Sequence, residues 1–105
     1  MKQFVVIAHD GKDEKALERR MAARQTHIDG LNKLRAEGNV ICGIALTDEN
    51  EKMIGSMVAT SFATRADFDK WLATEPYVVG NVWQDIQVFP GNLGPSFADL
   101  LKKKA

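Results

Sequence analysis

The sequence predicts an α+β domain in the order β-α-β-β-α-β, and three observations carry that reading. Four short runs rich in β-branched residues are bounded by Gly, Pro, Asn or Asp. Two stretches of good helix formers with apolar residues at helical spacing follow the first and third of those runs. The chain has 105 residues, enough for one core and too few for two. One domain over residues 1–105 is expected, with its core at about 3–90 and an extension at 91–105.

Gln3 to His9 is the first strand, closed by the turn signal Asp10-Gly11. A helix of about 22 residues follows, with Asp13 as its cap and Gly38 as the left-handed residue that stops it. Leu17, Met21, Arg24, Ile28, Leu31 and Leu34 mark its inner stripe. Val40 to Thr47 is the second strand, Asp48 to Lys52 a polar connection, and Ile54 to Phe62 the third strand. Thr64 caps a second helix that buries Phe68, Trp71 and Leu72 and ends at Pro76. Val82 to Phe89 is the fourth strand, closed by Pro90-Gly91, and a short terminal helix is expected around Phe97, Leu100 and Leu101. This order is the split plan of the ferredoxin-like fold, a four-stranded antiparallel sheet with two helices on one face.

Strict alternation puts Val40, Cys42, Ile44 and Leu46 on one side of the second strand and Ile41, Gly43 and Ala45 on the other. The first strand likewise offers Phe4, Val6 and Ala8 against Val5 and Ile7. Both sheet faces are therefore apolar, whereas a sheet wetted on one side shows clean polar alternation. Two helices cover one face. A second copy of the chain, sheet against sheet, is the expected cover for the other, since monomers seldom leave several hundred Å² of contiguous apolar surface in water.

Composition removes several function classes. Fourteen basic residues balance fourteen acidic ones, so no general field favours nucleic acid or an acidic membrane. No stretch approaches the ~20 apolar residues of a membrane span, and the first residues lack a signal-peptide core; a cytoplasmic protein is expected. The single cysteine, Cys42, excludes an internal disulfide and reads as a buried small hydrophobe, not a nucleophile. His9 and His27 lack metal-ligand spacing with other ligands, no Gly-rich phosphate loop follows a strand, and neither metal nor cofactor is expected. Lys102-Lys103-Lys104 reads as a solvated tail.

Three residues are candidates for chemistry. His27 lies on the flank of the helical stripe, partly desolvated, and imidazole suits acid or base work. The plain alternative is a core-edge histidine bonded to a backbone carbonyl. Asp10 sits where a strand turns into a helix, a common place for catalytic groups and equally a common turn residue. Glu75, just before Pro76, opposes the dipole at a helix C-terminus; otherwise it is an exposed residue at a frayed end. Arg24 is positioned to hold a substrate carboxylate, and Tyr77 and Trp83 to line an apolar pocket.

The chain resembles the YCII-related family of small dimeric α+β barrel proteins. The resemblance rests on Ala8-His9-Asp10, on Arg24-Gln25-Thr26-His27 followed by Leu31, and on Glu37-Gly38 leading to Gly43. Gly55-Ser56 and Glu75-Pro76-Tyr77 before Gly80 complete it. It implies a ferredoxin-like protomer, a sheet-to-sheet homodimer, and a site on the helix histidine, matched by His27, with acidic help nearby. The family commonly has Asp-Pro where this chain has Glu75-Pro76, so the carboxylate here sits one methylene further out. Its Ala-Gly-Pro run on the second strand is Cys42-Gly43-Ile44 here. Dimeric α+β barrels include lactone isomerases, dehalogenating enzymes and heme-linked oxidases, so fold alone does not choose the chemistry. The expected function is a small enzyme acting on a lactone- or aromatic-derived metabolite by proton transfer, isomerase- or lyase-like. The alternative is a dimeric module that binds or senses a metabolite without chemistry.

Overall fold

Alternation along the first strand decides the layering. Phe4, Val6, Ala8 and Asp10 are buried, while Val5, Ile7 and His9 point the other way and are partly or fully exposed. In the computed structural model, which describes residues 1–101, the chain runs β1 (Lys2–Asp10), α1 (Ala16–Ala36), β2 (Val40–Thr47) and β3 (Met53–Phe62). It continues through α2 (Arg65–Thr74), α3 (Pro76–Val79), β4 (Trp83–Gly91) and a 3₁₀ segment, Pro95–Leu101. The Lys102–Lys104 run lies outside the described residues. The sheet order is β2-β3-β1-β4 with every neighbouring pair antiparallel, the ferredoxin-like arrangement. Phe4, Val6 and Val58 from the sheet meet Phe68 of α2 and Tyr77 of α3 in one core. The Phe4 and Phe68 rings lie 4.8 Å apart.

Local chemistry accounts for the helix ends. Gly38 takes φ 84°, the left-handed conformation that stops α1. The Gly38 and Asn39 N–H groups then donate to the Arg35 and Leu34 carbonyls. Thr64 caps α2, its hydroxyl accepting from the Asp67 N–H at 3.1 Å. Asp13, expected as the cap of α1, stands too early. Lys15 is the N-cap residue, and the Asp13 carboxylate instead accepts two hydrogen bonds from the Arg19 guanidinium at 2.7 and 2.9 Å. Pro76 ends α2 as expected but also opens α3, because proline suits the first helical position.

Two further expectations shift. The buried face of α1 carries Ala16, Arg20 and His27, with Ala23, Leu31 and Leu34 half-buried, while Met21 is exposed and Arg24 is exposed at the flank of that face. The helix is turned toward Arg20 and His27 because both find partners beneath it. On β2 a bulge between Val40 and Cys42 inserts one residue and reverses the alternation. Val40 pairs Thr60, Gly43 pairs Val58 and Ala45 pairs Ser56, so these three face the helices. Cys42, Ile44 and Leu46 turn to the open face beside Met57 and Ala59. Cys42 is consequently exposed, not buried. Ile44, 58% exposed, and Phe89 complete an open face that also carries Val5 and Ile7.

Gly55 is required where two backbones approach. A Cβ there would overlap the Ala8 carbonyl oxygen and come within 3.3 Å of Leu46 Cδ1. Gly30 of α1 has nothing within 4 Å. Chemical denaturation should show Gly55→Ala destabilised by about 1–3 kcal/mol and Gly30→Ala stabilised by about 0.5–1 kcal/mol.

Candidate active site

The residue before a proline is driven out of helical geometry, and Glu75 follows that rule with ψ 127° at the joint between α2 and α3. The turn points its carboxylate inward. Glu75 is 2% exposed, and its Oε1 accepts from the Tyr77 N–H at 3.2 Å, capping α3. The same oxygen is hydrogen-bonded to Nδ1 of His27 on the buried face of α1. Glu75 is therefore neither exposed nor set against a helix dipole alone; it satisfies the first turn of the next helix. Its extra methylene does not prevent contact with the histidine.

A carboxylate only accepts, so Nδ1 carries the hydrogen of the neutral ring and Nε2 keeps its lone pair. Nε2 makes no hydrogen bond among the described residues, and the ring lines a cleft of about 500 Å³ between α1, β2 and β3. The alternative of a histidine bonded to backbone does not describe this ring. Tyr77 stacks on it at 3.9 Å with 15° between the planes, and Trp83 meets it edge-on at 5.9 Å. The ring is thus held by Glu75, Tyr77 and Trp83 where it lines the cleft. Gly43 and Ala45, the small residues that the bulge turns inward, line the same cleft on its β2 side.

A second buried pair stands beside the first. Arg20 donates from Nη1 to both Asp10 carboxylate oxygens at 3.1 and 3.2 Å, and from Nη2 to Ser56 Oγ at 2.9 Å. Its guanidinium carbon lies 4.7 Å from the Tyr77 ring centre. Trp83 Nε1 donates to the same Ser56 oxygen at 3.1 Å. Burial pushes the Asp10 carboxyl above its usual range, and the Arg20 charge pulls against that shift. Burial also raises the Tyr77 phenol above its ordinary value, partly offset by Arg20 and Arg24.

Of the residues singled out in the sequence, His27 and Glu75 meet directly and Tyr77 lines the cleft with Arg24. Asp10 partners Arg20 instead of the histidine. Trp83 is buried behind the cleft and does not line it. Sequence reasoning passed over Arg20 and gave Ser56 only as part of a motif. Arg20 sits seven residues before His27, two turns along one stripe, and that spacing was the available signal. Among the described residues, no three His, Cys, Asp or Glu side chains are grouped to hold a metal, and no helix is long and apolar enough to cross a membrane.

These features define a ferredoxin-like α+β protein with a histidine–carboxylate pair opening on a cleft. Residues 3–92 match the YCII-related domain, and the chain belongs to that family. An uncharacterised protein of Haemophilus influenzae is 32% identical over 93 residues, covering 83% of this chain and 93% of that protein. Among solved structures, the 5-chloro-2-hydroxyhydroquinone dehydrochlorinase TftG of Burkholderia phenoliruptrix, in complex with 2,5-dihydroxybenzoquinone, superposes with a TM-score of 0.74. The identity is 14%, over 90% of this chain and 97% of that one. A dimeric ferredoxin-like protein of unknown function from Jannaschia gives a TM-score of 0.53 at 14% identity, over 89% and 100% of the two chains.

The sequence has one tyrosine, so its ionisation can be followed directly by ultraviolet absorbance. The native protein should titrate above 10.0, the ordinary phenol value, and the denatured chain at it. Since the unfolded chain loses this proton first, folding stability should fall as pH rises past that value. Asp10→Ala leaves the Arg20 charge buried without its partner and should cost about 3–5 kcal/mol in denaturant unfolding.

Proposed function

We propose that this chain is a small-molecule enzyme in which His27 acts as general base and acid, with Glu75 as its positioning partner. One observation carries the reading: Nδ1 is engaged by a buried carboxylate, while Nε2 has no partner among the described residues and the ring lines the cleft. Glu75 fixes the tautomer and stabilises the imidazolium that forms when Nε2 takes a proton. The Tyr77 stack and Trp83 edge hold the ring plane, so Nε2 keeps one fixed orientation. Arg24, on the cleft wall, binds an anionic group of the substrate. Asp10 serves by holding Arg20 in place.

The substrate class is a hydroxylated aromatic or a lactone derived from one. Apolar residues Ile28, Leu31 and Val58 along the cleft suit a ring, and His27 and Arg24 suit its oxygens. The dehydrochlorinase neighbour, which acts on a substituted hydroquinone, supports the aromatic reading. Proton transfer by His27 needs no metal or organic cofactor in this scheme. Turnover should be sought on a panel of halogenated hydroquinones and aryl-derived lactones. On an accepted substrate, His27→Ala should lower kcat by about 10²–10⁴-fold with substrate affinity retained. Glu75→Gln should lower it less while the fold persists. Binding that survives in both variants, with no turnover in the native protein on any member, would leave the cleft a binding module and contradict this account.

The working unit is a homodimer joined through the open sheet face. That face carries Val5, Ile7, Ile44, Met57 and Phe89 with no helix above it among the described residues, and the Jannaschia neighbour is described as dimeric. Light scattering should give twice the 11.6 kDa chain mass, and Ile44→Glu should shift the population to monomer. A native monomer at micromolar concentration contradicts the pairing.

A further inference from the structure

Ser56 lies on β3 and lines the same cleft as His27. Its hydroxyl oxygen receives two hydrogen bonds, from Arg20 Nη2 and from Trp83 Nε1. Guanidinium and indole N–H groups only donate, so both lone pairs of Oγ are occupied. The serine hydrogen is left to donate, yet it finds no acceptor among the described residues. Ser56 is 3% exposed, and its partners are fixed in turn by Asp10 and by the Tyr77 ring. A rigid hydroxyl with no acceptor among the described residues therefore stands in the wall of the cleft.

The charges around it point to what the recipient is. Arg20, Arg24 and Arg35 line this cleft and, among the described residues, no carboxylate does, Asp10 pairing with Arg20 behind it, in a chain with equal numbers of acidic and basic residues. Arg20 Nε is buried and also lacks a partner among the described residues. The cleft thus offers donors and positive charge and, besides His27 Nε2, few groups that accept.

We propose that Ser56 is the seat for a substrate oxyanion, a phenolate or enolate oxygen that accepts the Ser56 hydrogen within the field of Arg24 and Arg35. The inference rests on the acid–base reading above and names the group that its substrate must carry. A cationic donor on Oγ polarises the O–H bond and makes it a stronger donor than a free serine. When His27 Nε2 removes a proton from a substrate hydroxyl, the O–H bonding pair stays on that oxygen as a phenolate; when it removes one from a saturated carbon beside a carbonyl, the C–H pair forms the C=C bond and the carbonyl π pair moves onto the oxygen as an enolate. The developing charge is met by a group already in position.

The test measures binding, separately from turnover, with 4-nitrophenolate and its methyl ether 4-nitroanisole, at a pH where the phenol is ionised. The native protein should bind the phenolate at least about tenfold more tightly than the ether, as expected for a hydrogen bond to a charged group. Ser56→Ala should weaken phenolate binding about tenfold and leave the ether unchanged, and Ser56→Thr should restore it. Should the alanine variant not fold, the native contrast and the threonine variant decide. Equal binding of the two probes, no binding of the phenolate, or phenolate binding unchanged in Ser56→Ala overturns the seat. In the native protein, a phenolate preference without turnover on any substrate sinks the acid–base reading alone. Turnover by the native protein without a phenolate preference sinks the seat alone.

Discussion

A carboxylate removed from water must be paired, and the pairing of Glu75 organises the centre of this molecule. Its Oε1 serves two donors at once, the first turn of α3 and the imidazole of α1. The first ties Glu75 to the backbone that follows Pro76; the second draws the long helix down onto the sheet. Tyr77, two residues on, then lies flat against the histidine it helps to orient. A four-residue segment, Glu75 to Val78, thereby sets the ring plane, the tautomer and one wall of the core.

The Arg20–Asp10 pair works on a different principle. Bringing two charges into the interior costs desolvation that their attraction repays only in part, and the upward push on Asp10 records that cost. Such a pair adds little net stability when formed, yet losing one member strands the other. Its role is constraint: it holds Ser56 and presses the guanidinium against Tyr77 beneath α1. Two buried polar pairs on one helix face explain why Arg20 and His27 point inward while Met21 faces out.

Most of the layering was legible in the residues. Phe4-Val5-Val6-Ile7-Ala8 announces a strand, Glu37-Gly38 stops a helix, and Thr64 starts another, because each is a short-range rule. What escaped was long-range. The bulge beside Ile41 depends on how β2 registers against β3, which a single strand does not reveal, and it moved Cys42 from the expected core to the surface. The rotation of α1 depends on partners that lie far away in sequence, Glu75 for His27 and Ser56 for Arg20. His27, Asp10 and Glu75 were each visible as candidates, with either carboxylate able to orient the histidine. Which one meets it was not legible, because the contact with Glu75 depends on the bend that Pro76 imposes and Asp10 is taken by Arg20.

The account turns on the state of one ring, and nitrogen-15 NMR of the His27 imidazole reads it directly. At a pH where the ring is neutral, the account predicts a proton on Nδ1 and a bare Nε2, with that preference lost in Glu75→Gln. A ring protonated at Nε2, or tautomers mixed equally and indifferent to Glu75, would contradict it.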